Sequence, residues 1–234
     1  MPRRARQAPG GLIYHVLNRA VGRMRMFTRE GDYLAFQNVL LEAQELRPIR
    51  ILAYSVMPNH WHMVLWPRAD GELSRFMHWL TMTHTQRWRH HRRLVGLGPL
   101  YQGRFKAFPA QNDGHLLVVL RYVERNPLRA GLVQRAEDWP YTSLHDRLSD
   151  SSPLRPVLCD WPISMPREYV ELVNQAQTPA EEEALRTSIR RGRPFGDVAW
   201  QASMVGRLGL QSSVNPEHRP KCKRSPGEVA RRKA

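Results

Sequence analysis

The spacing of apolar and polar positions divides the chain into stretches of strand-like and helix-like character. Residues 12–18, "LIYHVLN", carry the β-branched and aromatic content of a strand. Residues 30–46 instead set Leu34, Val39, Leu40, Leu41 and Leu46 between polar positions, with Thr28 and Asp32 suited to a helix start and Pro48 to its end. Residues 49–57, "IRILAYSVM", and 61–67, "WHMVLWP", read as two further strands turned by Pro58 and Asn59 into an antiparallel hairpin. A long helical pattern from Gly71 to His91 places Leu73, Phe76, Met77, Leu80 and Trp88 near one side. A short fourth strand is expected at 103–110, "GRFKAFPA". A third helix should follow at 113–126, "DGHLLVVLRYVERN", ended by Pro127.

The order strand, helix, strand, strand, helix, strand predicts an α+β fold of the ferredoxin-like, split βαβ kind: an antiparallel sheet with two helices on one face. The helix after the fourth strand is then free to build a site on the other face. One domain is expected over residues 1–150, beginning with a loose basic arm. After "SDSSPLRP" the composition shifts, and residues 151–214 read as a helical extension with short helices near 166–176, 179–191 and 196–209. Residues 215–234 have almost no apolar content and are expected to form a disordered basic tail.

Charge changes the picture more than composition does. The 234 residues carry a formal net charge of +15, and all but four of the cationic side chains are arginines, the exceptions being Lys106, Lys221, Lys223 and Lys233. Guanidinium groups bind phosphate bidentately and stack on bases, so nucleic acid is the expected partner. Cys159 and Cys222 are too few for a disulfide framework or a cysteine metal site and suit a reducing cytoplasm. No segment reaches the roughly 18 apolar residues of a membrane span, and Met1 to Arg4 lead into no apolar segment, so a cytoplasmic protein without a membrane partner is expected.

The candidate chemistry lies in "MPNHWHMVLWP", residues 57–67. Strand side chains alternate faces, so His60 and His62 point one way and Trp61 the other. Such a pair, taken alone, is more often two surface imidazoles than a metal site, and two nitrogens hold a cation poorly without a third ligand. On the helix of 113–126, Leu116, Val119, Leu120 and Val123 form one side, while His115, Tyr122, Asn126 and Arg129 follow a polar stripe. Tyr122 and Asn126 stand at i, i+4 and are neighbours.

"MPNHWHMVLWP" followed by "YVERNPLRAGLV" resembles the single-tyrosine HUH transposases (IS200-like), and among them the REP-associated tyrosine transposases, which act on repetitive extragenic palindromes. The resemblance extends through "YHVLNRAVGR", "YQGRFKAFPAQ", "WPYTSLHD" and "GRPFGDVAWQASMVGRLGLQ". It implies that His60, His62 and Asn126 bind Mg²⁺ or Mn²⁺ and that Tyr122 is the nucleophile. It also implies a covalent 5′-phosphotyrosine intermediate, single-stranded DNA beside a hairpin as substrate, and a monomer. Arg19, Arg23 and Arg25 after the first strand, and Arg104 and Lys106 on the fourth, are candidate DNA contacts, as are Arg87 to Arg93 and the 219–233 tail. Two other classes stay in view: a hairpin-binding regulator without transfer activity, and a metal-dependent hydrolase in which water attacks in place of Tyr122.

Overall fold

The computed structural model of the protein describes residues 8–96 and 98–215, so the expected tail, Asn215 apart, and most of the N-terminal arm lie outside the described residues. Strands β1 (Ile13–Arg19), β2 (Arg50–Met57), β3 (His60–Trp66) and β4 (Lys106–Ala110) form an antiparallel sheet in the order β2-β3-β1-β4. Helices α1 (Glu30–Leu46) and α2 (Glu72–His91) lie on one face, where Phe36, Leu40, Phe76 and Leu80 share a core with Trp61, Met63 and Leu65. On the other face α3 (Gly114–Glu124) packs Leu116, Val119, Leu120 and Val123 against Ile13, Val64 and Phe108. The α+β, ferredoxin-like arrangement expected from the element order is the one observed.

Trp61 ties the sheet to the first core. It is fully buried, its Nε1 donates to the Tyr101 hydroxyl at 3.1 Å, and that hydroxyl lies 2.6 Å from Nδ1 of buried His84. An indole can be buried at no polar cost only when its N–H finds such a partner.

Three local expectations need correction. In α1 the buried residues are Tyr33, Phe36, Gln37, Val39, Leu40 and Ala43, while Leu34 and Leu46 are exposed. The fourth strand starts at Lys106, so Arg104 is not on it. Tyr101 bridges Ala20 and Lys106 pairs with Leu17, so five steps on one strand face three on the other and the surplus around Gly103 and Arg104 bows outward. Pro127 does not end the helical course either. It occupies the first turn of a short helix, α4 (Asn126–Arg129), where a missing N–H costs little. Arg129 N–H still reaches the Arg125 carbonyl, and Ala130 N–H that of Asn126.

The remaining helices are α5 (Ser143–Leu148), α6 (Tyr169–Asn174), α7 (Pro179–Arg191) and α8 (Val198–Leu208). Trp161, Tyr169, Val173, Leu185 and Phe195 join the second core, so α3 is enclosed between the sheet and the extension. Arg121 of α3 and Arg125 just after it donate to the carbonyls of Leu172 and Val173 at the end of α6, a favourable position for cations. Buried Glu124 accepts from Ser143 Oγ at 2.5 Å and from the Tyr169 hydroxyl at 2.6 Å. Phe195 adds to the outer edge of β4 through bonds to Pro109 and Gln111.

Trp61→Ala should cost about 3–5 kcal/mol, the usual penalty for emptying a large aromatic site. A urea titration followed by far-UV dichroism measures it, and a loss below about 1 kcal/mol would contradict the anchoring role.

Candidate active site

β3 carries the imidazole pair on the face that α3 covers. His62 is buried and His60 half-buried, with ring centres 5.0 Å apart. The antiparallel register sets Leu17 opposite His62, which leaves His15 of β1 diagonal to it on the same face. His15 Nε2 stands 2.9 Å from His62 Nδ1. On the other side, His60 Nδ1 is 2.6 Å from Asn59 Oδ1, and Asn59 Nδ2 donates to the Arg23 carbonyl, which fixes that amide. His60 therefore carries its proton on Nδ1 and offers the Nε2 lone pair. His62, with Nδ1 engaged by His15, also has Nε2 left for a ligand.

From α3 and α4 come the phenol and the carboxamide. Tyr122 is 5 % exposed and Asn126 2 %, so these two members of the polar stripe face the sheet and not solvent. The Tyr122 ring stands edge-on to the rings of His62 at 5.9 Å and His15 at 6.2 Å, and its hydroxyl accepts from Arg129 Nη2 at 3.2 Å. The same Nη2 donates to Asn126 Oδ1 at 2.9 Å, orienting the amide, while Asn126 Nδ2 is buried without a partner. Thus the four residues singled out in the sequence, His60, His62, Tyr122 and Asn126, gather on one side of the sheet.

Burial is the main cause of the site's electrostatics. It holds the His60 imidazole down to about 4, with Arg19 and Arg129 adding to the effect, and His62 well below the usual histidine range, with His15 and His60 contributing next. Both rings are neutral at pH 7 and present lone pairs. Two neutral imidazole nitrogens with an amide oxygen are a donor set that suits one divalent cation with positions left over. Among the described residues no cluster of three or more His, Cys, Asp or Glu side chains has metal-binding geometry.

The basic residues divide. Arg19, Arg104 and Lys106 line one groove of about 450 Å³ with Leu17, Asn18, Gln102 and Ile189, and Leu17 is the sheet partner of His62. Arg23 and Arg25 are exposed on the loop after β1, near the turn before His60, and are not among the residues lining that groove. His115 pairs with Asp113 and packs on Phe195, away from the imidazole pair. Sequence reasoning named His15 only as a candidate to line the site, placed Asn59 in the turn and Arg129 on the polar stripe, and gave neither of those two a part in the chemistry. The even-numbered step between His15 and Leu17 held a signal for His15, but only once the strand register is known.

Residues 10–126 match the family model described as "Transposase IS200 like". The REP-associated tyrosine transposase of Escherichia coli (strain K12) is 25% identical over 142 residues, covering 58% of this chain and 78% of that protein. A solved structure of a REP-associated tyrosine transposase bound to a REP hairpin aligns with a TM-score of 0.52 at 22% identity, covering 64% of this chain and 86% of that one. That likeness is one of fold. Among the described residues, no helix is long and apolar enough to cross a membrane.

Buried neutral imidazoles also make folding pH-dependent. His15 and His84 are held to about 3 and His60 to about 4 by burial, against 6.5 in the unfolded chain. The unfolded state therefore takes up protons below pH 6.5 that the folded state refuses, and stability is full above that value and falls as pH drops toward 4. Denaturant midpoints at pH 7.5, 5.5 and 4.5 should decrease in that order. A flat series would show that these rings are not held neutral.

Proposed function

This chain belongs to the IS200-like transposase family, and from that premise we propose that it is a single-stranded DNA endonuclease and strand transferase acting beside hairpin-forming palindromes. The observation that carries the reading is the convergence of the Tyr122 phenol and the Asn126 amide, joined through Arg129, on the imidazole face of β3.

In this proposal Tyr122 attacks a phosphodiester, the Tyr122 oxygen to phosphorus bond forms, and the bond to the 3′ oxygen breaks. The phenol proton leaves to solvent, the 3′ oxygen gains one, and the products are a 5′-phosphotyrosine and a free 3′-OH. One phosphoester replaces another, so rejoining needs no ATP. His60 and His62 through Nε2, with Asn126 through Oδ1, would hold Mg²⁺ or Mn²⁺, which supplies Lewis acidity toward the phosphate when bound. Asn59 and His15 orient the two rings, as partners of metal-ligating histidines do.

The substrate proposed is unpaired DNA next to a hairpin. A phosphate within regular duplex cannot readily reach a phenol that is 5 % exposed between a helix and a sheet, whereas an unstacked strand can. Arg19, Arg104 and Lys106 give its backbone a positively charged path to the site. The E. coli relative carries a REP-associated name and the fold-related structure holds a REP hairpin, which supports a palindromic hairpin as the substrate class.

A labelled hairpin oligonucleotide with single-stranded flanks, incubated with Mn²⁺ or with chelator and run on denaturing gels, tests this directly. The expected result is a metal-dependent covalent adduct that Tyr122→Phe abolishes. Cleavage that survives Tyr122→Phe would identify a hydrolase, and binding without cleavage a regulator. In a companion titration, Arg19→Ala and Lys106→Ala should each lower the slope of log K against log salt by about 1; unchanged slopes would remove the groove from the DNA path.

A further inference from the structure

Arg129 holds a position that fold maintenance does not explain. Its Nη2 uses both protons, one on the Tyr122 hydroxyl and one on Asn126 Oδ1, and its guanidinium carbon lies 4.5 Å from the centre of the Tyr122 ring. The two N–H groups of Nη1 and that of Nε have no protein partner among the described residues, and the side chain is exposed. No carboxylate among the described residues pairs with it. Its side chain caps no helix carbonyl. A cation fixed through Nη2 to a nucleophile, with the donors of Nη1 and Nε open, is arranged to receive an anion.

We propose that Arg129 is a catalytic residue of strand cleavage, Nη2 of its guanidinium orienting the Tyr122 oxygen and a free N–H of Nη1 or Nε binding a non-bridging oxygen of the scissile phosphate. This rests on the phosphotyrosine reaction given above. As the Tyr122 oxygen bonds to phosphorus and the 3′ oxygen departs, negative charge grows on the non-bridging oxygens. Arg129 meets that charge with hydrogen-bond donors already in place. Lysine cannot do the same, because a single ammonium does not span phenol and phosphate in fixed geometry.

The test is a chemical double-mutant cycle on the full chain with Mn²⁺. Wild type and Arg129→Gln are compared on a hairpin oligonucleotide whose scissile phosphate is unmodified, or is one of the two pure methylphosphonate diastereomers, each lacking one charged oxygen. On the unmodified phosphate, Arg129→Gln should slow adduct formation by about 10²–10³-fold, the range for removing one oxyanion donor. On the diastereomer that lacks the contacted oxygen, the two proteins should agree within about threefold. Arg129→Lys should recover only part of the rate, with the thermal midpoints of all three proteins alike. Equal penalties on the unmodified phosphate and on both diastereomers overturn the proposal and leave Tyr122 as nucleophile. Failure of the wild type to form any Tyr122-dependent adduct overturns both.

Discussion

The parity of β3 is the constraint on which the rest depends. Side chains along β3 alternate faces, and Trp61 is locked into the core beneath α1 and α2 by its packing against Phe36 and its bond to Tyr101. His60 and His62 have no choice but the opposite face. A slip of one residue in the pairing with β1 would expel the indole and drive both imidazoles into an apolar core, a penalty of several kcal/mol in each direction. The stability of one face thus specifies the chemistry of the other.

Desolvation then converts that placement into function. An exposed histidine is partly protonated near neutrality and repels cations, whereas burial holds His60 to about 4 and His62 lower still, so lone pairs are available across the physiological range. Arg19 and Arg129 push in the same direction. The same cations that disfavour imidazolium favour a phosphate, the group the proposed substrate would bring.

Much of this was legible in the sequence because the governing periods are short. Two-residue alternation placed His60, Trp61 and His62, and the i, i+4 relation placed Tyr122 beside Asn126. Features that depend on register or on loop length were not legible. His15 meets His62 only because Leu17 pairs with it across two strands far apart in the chain. Arg104 lies off β4 because the segment after Tyr101 carries surplus residues that bow away from β1. Pro127 was misread because proline before a helix and proline inside one look alike in one dimension; it starts a new turn here, and that turn delivers Arg129 to the phenol.

The family match ends at residue 126, yet α3 is not held by those residues alone. One side of α3 faces the sheet; the other faces Tyr169, Val173 and Leu185. Glu124, two residues from Tyr122 and from Asn126, is fully buried, and burial raises its carboxyl above the usual range while Ser143 and Tyr169 supply its hydrogen bonds. A buried carboxyl with only those two donors leaves little tolerance for movement, because losing either would strand an acceptor in an apolar core at about 1–3 kcal/mol. Arg121 and Arg125 bind α6 on the same side. The extension therefore acts as the second wall of the site: it fixes the helix from outside while the imidazole face defines what that helix must meet within.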